Sequence, residues 1–151
     1  MKNHFHLLVR IKTTDELVKS FSSEDQTGLI NQSGLERHLA RTPSRSFGNL
    51  FVAYTKGANK EYDRTGALFE SPFGRKTVHN ERYFYQLIIY IHQNPQKHGF
   101  VTDFRDWPYS SYNGITSTKP SRLDRDAVLE LFGGADGFKQ QHIEMIDLDE
   151  D

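Results

Sequence analysis

The chain has 151 residues and a mass of 17.5 kDa, enough for one buried core and no more than one is required, so a single domain over 1–151 is expected. Lys and Arg number 19 against 20 Asp and Glu, a net charge of -1 that excludes a protein coating nucleic acid through a general positive excess; with no cysteine, a disulfide framework and a thiolate zinc site are excluded too. The first residues lack a signal peptide, and apolar runs such as 87–91 fall far short of the roughly 20 residues a membrane helix needs, so the expectation is a cytoplasmic chain without membrane contact.

Residues 5–11 alternate as a strand does: Phe5, Leu7, Val9 and Ile11 fall on one face, expected to meet the core, and His4, His6, Leu8 and Arg10 on the other. Thr14 suits the cap of a short helix reaching Phe21. Residues 22–33 are polar and read as a flexible loop, and 35–39 as a helical turn. Phe47, Leu50, Phe51 and Tyr54 recur at helical spacing behind Ser44 or Ser46 as cap, but Gly57 and polar neighbours argue against an unbroken continuation through 55–62. A turn at 63–66 follows, and 75–78 reads as a strand.

The strongest helical pattern begins at Asn80 and Glu81, where Tyr83, Leu87, Tyr90 and Ile91 share a side. Pro95 is expected to end or kink it and to push Asn94 out of the helical region. After an aromatic, turn-rich stretch at 100–115, short helices are expected at 124–132, stopped by Gly133 and Gly134, and at 135–146. Residues 120–151 thus form a helical extension with an acidic tail of Glu144, Asp147, Asp149, Glu150 and Asp151.

Two imidazoles at alternate strand positions lie about 7 Å apart at the backbone and can converge on one ion, preferring Mn2+ and later transition metals to Mg2+. By themselves, His4 and His6 are equally readable as ordinary surface residues. Tyr90 shares its helix side with Asn94, but Tyr83, Tyr85, Tyr109 and Tyr112 are equal rivals as nucleophile. A free tyrosine, with a pKa of about 10, needs an electrophile polarised by something else, for which a metal on a phosphate is one source.

Three ordered motifs narrow these alternatives. Asn3-His4-Phe5-His6-Leu7-Leu8-Val9, then Tyr90-Ile91-His92-Gln93-Asn94-Pro95-Gln96-Lys97-His98-Gly99, then Asp106-Trp107-Pro108-Tyr109-Ser110-Ser111-Tyr112 resemble the signatures of REP-associated tyrosine transposases. Tyr54-Thr55-Lys56, Tyr62-Asp63-Arg64, Gly66 and Leu68-Phe69 resemble the linking region, so the likeness runs from about residue 3 to about residue 138. The resemblance implies an α+β fold, a ferredoxin-like sandwich with an antiparallel sheet, here lacking its first strand and helix. It implies that His4 and His6 hold Mg2+ or Mn2+, with Asn94 at the position of a third ligand that is glutamine in related transposases. Tyr90 would attack the scissile phosphate and form a 5'-phosphotyrosine link, releasing a 3'-OH.

Hairpin or single-stranded DNA is the implied substrate. Arg41, Arg45, Lys56, Arg64, Arg75, Lys76 and Lys97 are the candidate phosphate contacts, and Tyr62, Phe73, Trp107 and Tyr112 the candidate base-stacking residues. A sheet without its first strand exposes an edge through which two copies can pair as a homodimer. The alternatives are a catalytically inactive, truncated or domesticated DNA-binding remnant, a metal hydrolase adding Asp63 or Glu70 to the histidine pair, and an interaction module with no nucleic-acid role.

Overall fold

A computed structural model describes residues 4–16, 19 and 43–143. The expected loop at 22–33, the turn at 35–39 and the acidic tail from Glu144 lie outside the described residues. The chain divides into two compact units, one of residues 1–8 and 76–151, the other of residues 9–75.

In the second unit, Thr13 and Glu16 form a reciprocal cap: Glu16 N–H donates to Thr13 Oγ1 at 3.3 Å, and Thr13 N–H donates to Glu16 Oε2 at 2.8 Å. The cap is therefore Thr13 and not Thr14, because glutamate three residues on reaches back to it. Helix α1 spans Pro43–Glu61. Proline at the first helical position forfeits no intrahelical bond, which explains a start ahead of both expected serine caps. Beyond Gly57 the helix continues unbroken, and Asn59 Nδ2 donates to the Gly66 carbonyl at 2.9 Å, tying its last turn to the following bend. Phe51 meets Phe69 and Phe73 with ring centres 4.9 and 5.2 Å apart, so a small aromatic cluster covers one side of α1.

The first unit is built around helix α2, Glu81–Lys97. Asn80 caps it, its side chain accepting from Tyr83 N–H at 2.7 Å, with Glu81 in the first turn and Lys97 in the last to complement the helix dipole. Pro95 does not end the helix and Asn94 stays within it. The helix ends at Lys97, and just beyond it Gly99 at φ +69° lets its N–H reach the Gln96 carbonyl and Phe100 N–H reach the Pro95 carbonyl, both at 2.9 Å. This paired closure satisfies the last carbonyls and needs the left-handed backbone that glycine adopts freely. A 3₁₀ turn at Phe104–Asp106 follows, then α3 (Tyr112–Thr116), α4 (Arg125–Leu131) and α5 (Ala135–Gln141). Helix α5 is shorter than expected, closing at His142. Ile88, Ile89, Phe104, Tyr112, Ile115, Phe132 and Phe138 make the core, with Leu8 packed against it.

A hydrogen-bonded chain crosses this core. The Phe138 carbonyl can only accept, so His142 Nδ1, 2.7 Å away, carries the proton and leaves Nε2 as acceptor. His92 Nδ1 then donates to His142 Nε2 at 2.8 Å, and His92 Nε2 accepts from the Ser111 hydroxyl at 2.8 Å. Gln93 Nε2 donates to the His142 carbonyl at 2.9 Å. Burial, reinforced by His142, pushes His92 down to about 3, and burial pushes His142 down to about 4, so both rings are neutral at pH 7. The chain fixes one side of α2 against α3 and α5.

The ferredoxin-like sandwich is not what the structure has: among the described residues there is no strand and no antiparallel sheet, and the architecture is helical. Residues 5–11 and 75–78 carry no regular secondary structure. A strand exists only by pairing, and no described segment supplies a ladder to either stretch. There is thus no sheet edge among the described residues on which the expected dimer would form. The assigned faces do not hold either, and His4 and Arg10 are exposed. Phe5, Leu7, Val9 and Ile11 are 47, 58, 49 and 52% exposed, whereas His6 and Leu8 are half-buried, Leu8 against the core.

Candidate functional site

Helix α2 presents Tyr90, Asn94 and His98 at successive four-residue steps, which puts them along one side of the helix. The extended segment at 4–8 lies against that side: the His6 ring centre is 5.6 Å from that of Tyr90, and the His4 ring centre is 6.1 Å from that of His98. His4 and His6 are themselves 5.3 Å apart, edge to face. Leu8, on the same face of the segment, anchors it to the core. All these residues belong to the first unit, so the constellation is internal to one compact body.

The tyrosine rivals separate by surroundings. Tyr112 is buried in the core, which also removes it as a base-stacking surface; burial pushes its hydroxyl above the ordinary tyrosine range. Tyr85 stacks on Phe132 at 4.4 Å, Tyr83 stacks on His79 at 6.4 Å, and Tyr109 is 85% exposed beside Trp107. Tyr90 is the described tyrosine whose ring lies against the histidine pair.

Two members of the constellation carry buried polar atoms without a hydrogen-bond partner: His6 Nε2 and both amide atoms of Asn94, a residue with 0% exposure. Each such atom costs about 1–3 kcal/mol unless something binds it. Burial first, and then the neighbouring His4 and His98, hold His6 below the ordinary imidazole range, which keeps its lone pair available near pH 7. Among the described residues no three His, Cys, Asp or Glu side chains form a metal-holding group. The fit to a divalent ion therefore rests on two imidazoles and an amide oxygen, donor types that suit Mn2+ and neighbouring ions.

His98 was passed over in the sequence reading, although its place eight residues beyond Tyr90 and four beyond Asn94 signals a shared helix side. His92, by contrast, is committed to the Ser111 and His142 chain on another side of the helix.

The basic candidates are dispersed. Arg41 lies outside the described residues. Arg45 and Lys56 are exposed on α1, Arg64 is exposed in the bend after it, and Arg75 sits 5.6 Å over the Phe73 ring; all four belong to the second unit. In the first unit, Lys76 lies 5.4 Å over Tyr83 and Lys97 is half-buried in the last turn of α2. Tyr62 is 75% exposed, Phe73 and Trp107 are half-buried, and Asp63 and Glu70 are exposed in the second unit. No described helix is long and apolar enough to cross a membrane.

No family model matches the chain, and no solved structure matches it. Over 55 residues, 36% of this chain, it is 31% identical to a protein of Haemophilus influenzae named "Putative REP-associated tyrosine transposase". The matched stretch spans 31% of that protein's length, so part of this chain is similar to part of a transposase-like sequence.

Proposed function

We propose that the chain is transposase-like and cleaves and rejoins hairpin or single-stranded DNA through Tyr90. The observation that carries this reading is the gathering of Tyr90, His6, His4 and Asn94 on one side of α2, with His6 Nε2 and the Asn94 amide buried and unpartnered. The partial likeness to the Haemophilus influenzae protein supports the same class.

In this mechanism His4, His6 and Asn94 would hold Mg2+ or Mn2+, which would supply Lewis-acid polarisation of the scissile phosphate. The Tyr90 hydroxyl oxygen attacks phosphorus and its proton passes to solvent. The bond from phosphorus to the 3'-oxygen breaks, and that oxygen leaves as a 3'-OH after taking a proton from solvent. The 5' end remains linked to Tyr90 as a phosphotyrosine, and rejoining is the reverse attack by a 3'-OH. The His6 ring against Tyr90 limits the directions the phenol can take, and the packing of Leu8 holds His6 there. Lys76 and Lys97, in the same compact unit as Tyr90, supply phosphate contacts that position the strand.

The test is mass spectrometry of the purified chain after incubation with a panel of 5'-extended hairpin DNAs and Mn2+, beside Tyr90→Phe. A covalent nucleotide adduct on the unaltered chain and none on Tyr90→Phe is the expected result. Binding of the same DNAs with no adduct on the unaltered chain would leave a DNA-binding protein without cleavage. Multiple turnover without a protein-linked intermediate would replace the tyrosine with a metal-activated water.

A further inference from the structure

We propose that Trp107 and Tyr109 form a stacking platform for unpaired bases of the DNA strand that reaches the candidate site. This rests on the single-stranded DNA reading and adds to it the surface that takes the bases.

Five rings make consecutive contacts from the site outward. Centre to centre, His4 lies 6.1 Å from His98, His98 6.4 Å from Phe100, Phe100 6.1 Å from Trp107, and Trp107 5.5 Å from Tyr109. All five belong to the same compact unit as Tyr90 and His6. Phe100 and Trp107 are half-buried, while Tyr109, at 85%, is the most exposed large apolar side chain among the described residues. A ring so bare gains little from folding, and its faces are open to a planar ligand. Trp107 meets it edge to face, at 73°, and so does not occupy it as a parallel stack would.

The backbone beneath the platform is braced. Trp107 N–H donates to the Phe104 carbonyl at 3.2 Å, and Ser110 N–H donates to the Trp107 carbonyl at 3.1 Å. Ser110 Oγ accepts from Tyr112 N–H at 3.2 Å, and Asn113 Nδ2 donates to the Arg105 carbonyl at 2.9 Å. A tyrosine on a fixed turn has only two side-chain torsions to lose when a ligand stacks on it, so ordering costs little. The charges of the same turn do not favour phosphate. Arg105 Nε donates to both carboxylate oxygens of Asp103, at 2.8 and 2.9 Å, and Asp106 is exposed. What this surface offers a nucleic acid is therefore a π face for a base, which is sequence-tolerant, and not a seat for its backbone.

The probe is a short thymidine oligonucleotide without secondary structure, titrated into the unaltered chain, Tyr109→Ala, Tyr109→Phe and a Tyr54→Ala control. Binding is followed by the fluorescence of Trp107, the single tryptophan of the chain, and circular dichroism verifies folding. Tyr54, 62% exposed on α1 in the second unit, controls for loss of any exposed tyrosine. The expected result is quenching of Trp107 on binding and at least about fivefold weaker binding for Tyr109→Ala, the lower end of what one base–aromatic stack contributes. Tyr109→Phe, which keeps the ring, and Tyr54→Ala should bind as the unaltered chain does. The steepness of the salt dependence should be the same for Tyr109→Ala, because no phosphate contact is lost. Equal affinity for Tyr109→Ala, a shallower salt dependence in that variant, binding that leaves Trp107 fluorescence unchanged, or no binding at all overturns the proposal. The adduct assay is read separately. An adduct on the unaltered chain with oligonucleotide affinity unchanged in Tyr109→Ala removes the platform and leaves Tyr90 chemistry standing; Trp107 quenching with weakened Tyr109→Ala binding and no adduct does the opposite.

Discussion

Two sides of α2 treat buried polar atoms in opposite ways. On one, both ring nitrogens of His92 are bonded, to His142 and Ser111, and the lone pairs and protons of His92 and His142 are assigned without conflict. On the other, His6 Nε2 and the Asn94 amide are just as enclosed and have nothing to bond. A satisfied buried network fixes a structure, while an unsatisfied one is a cost that only a ligand offsets. The contrast separates His92, whose ring nitrogens are both bonded, from His6, which carries a buried nitrogen without a partner. Both come from a sequence in which they look alike.

The satisfied side makes the larger prediction. His92 and His142 have folded pKa values near 3 and 4, below the 6.5 of an exposed imidazole, so the unfolded chain binds more protons than the folded one between those limits. Their stabilisation is complete above about pH 6.5 and declines as pH falls toward the folded values. By pH 4 the loss amounts to roughly 3 kcal/mol per histidine taken singly, and less than twice that for the coupled pair. Urea denaturation from pH 7.5 to pH 4 reads this directly; a midpoint that does not move across that range would show that the two rings are not neutral partners in the core.

Removing the hub of the network comes next in size. His142→Ala leaves His92 Nδ1–H without its ring partner and opens space beside Phe138, while Gln93 keeps its bond to the backbone carbonyl, and it should cost about 2–4 kcal/mol. The same variant should flatten the pH dependence, since His92 alone then titrates. If stability falls but the acid sensitivity stays whole, the coupling between the rings is not its source.

How much of this was readable beforehand follows from the range of each interaction. Helix α2 was visible because its signals are local: Asn80 and Glu81 at its start and the helical spacing of Tyr83, Leu87, Tyr90 and Ile91. Its last turn was misplaced because Pro95 is a strong local breaker, overruled by the closure through Gly99 and Phe100. The alternation in 5–11 did not become a strand: His4 and Arg10 are exposed like Phe5, Leu7, Val9 and Ile11, and only His6 and Leu8 turn inward, Leu8 against the core. The proximity of Tyr90 to His6 came from the resemblance and not from any spacing in the chain. The sheet was likewise an inference from resemblance, and no pairing partner exists among the described residues. The partnership of His92 with His142 spans 50 positions and leaves no mark in either local pattern.

The smallest effect is the sharpest test of the contrast, because its sign is unusual. Asn94 is fully buried and its amide is unpartnered, so in the metal-free chain it is a liability. Asn94→Leu keeps a similar shape, suits the helix interior and removes two unsatisfied polar atoms, so it should stabilise the chain by about 1–2 kcal/mol. The same change deletes an oxygen donor and should weaken divalent-ion binding and adduct formation. Gain of stability with loss of ion affinity is the pattern of a functional site maintained against the interest of the fold. Should Asn94→Leu instead destabilise by a similar amount, the amide has a structural partner, and the two sides of α2 are alike after all.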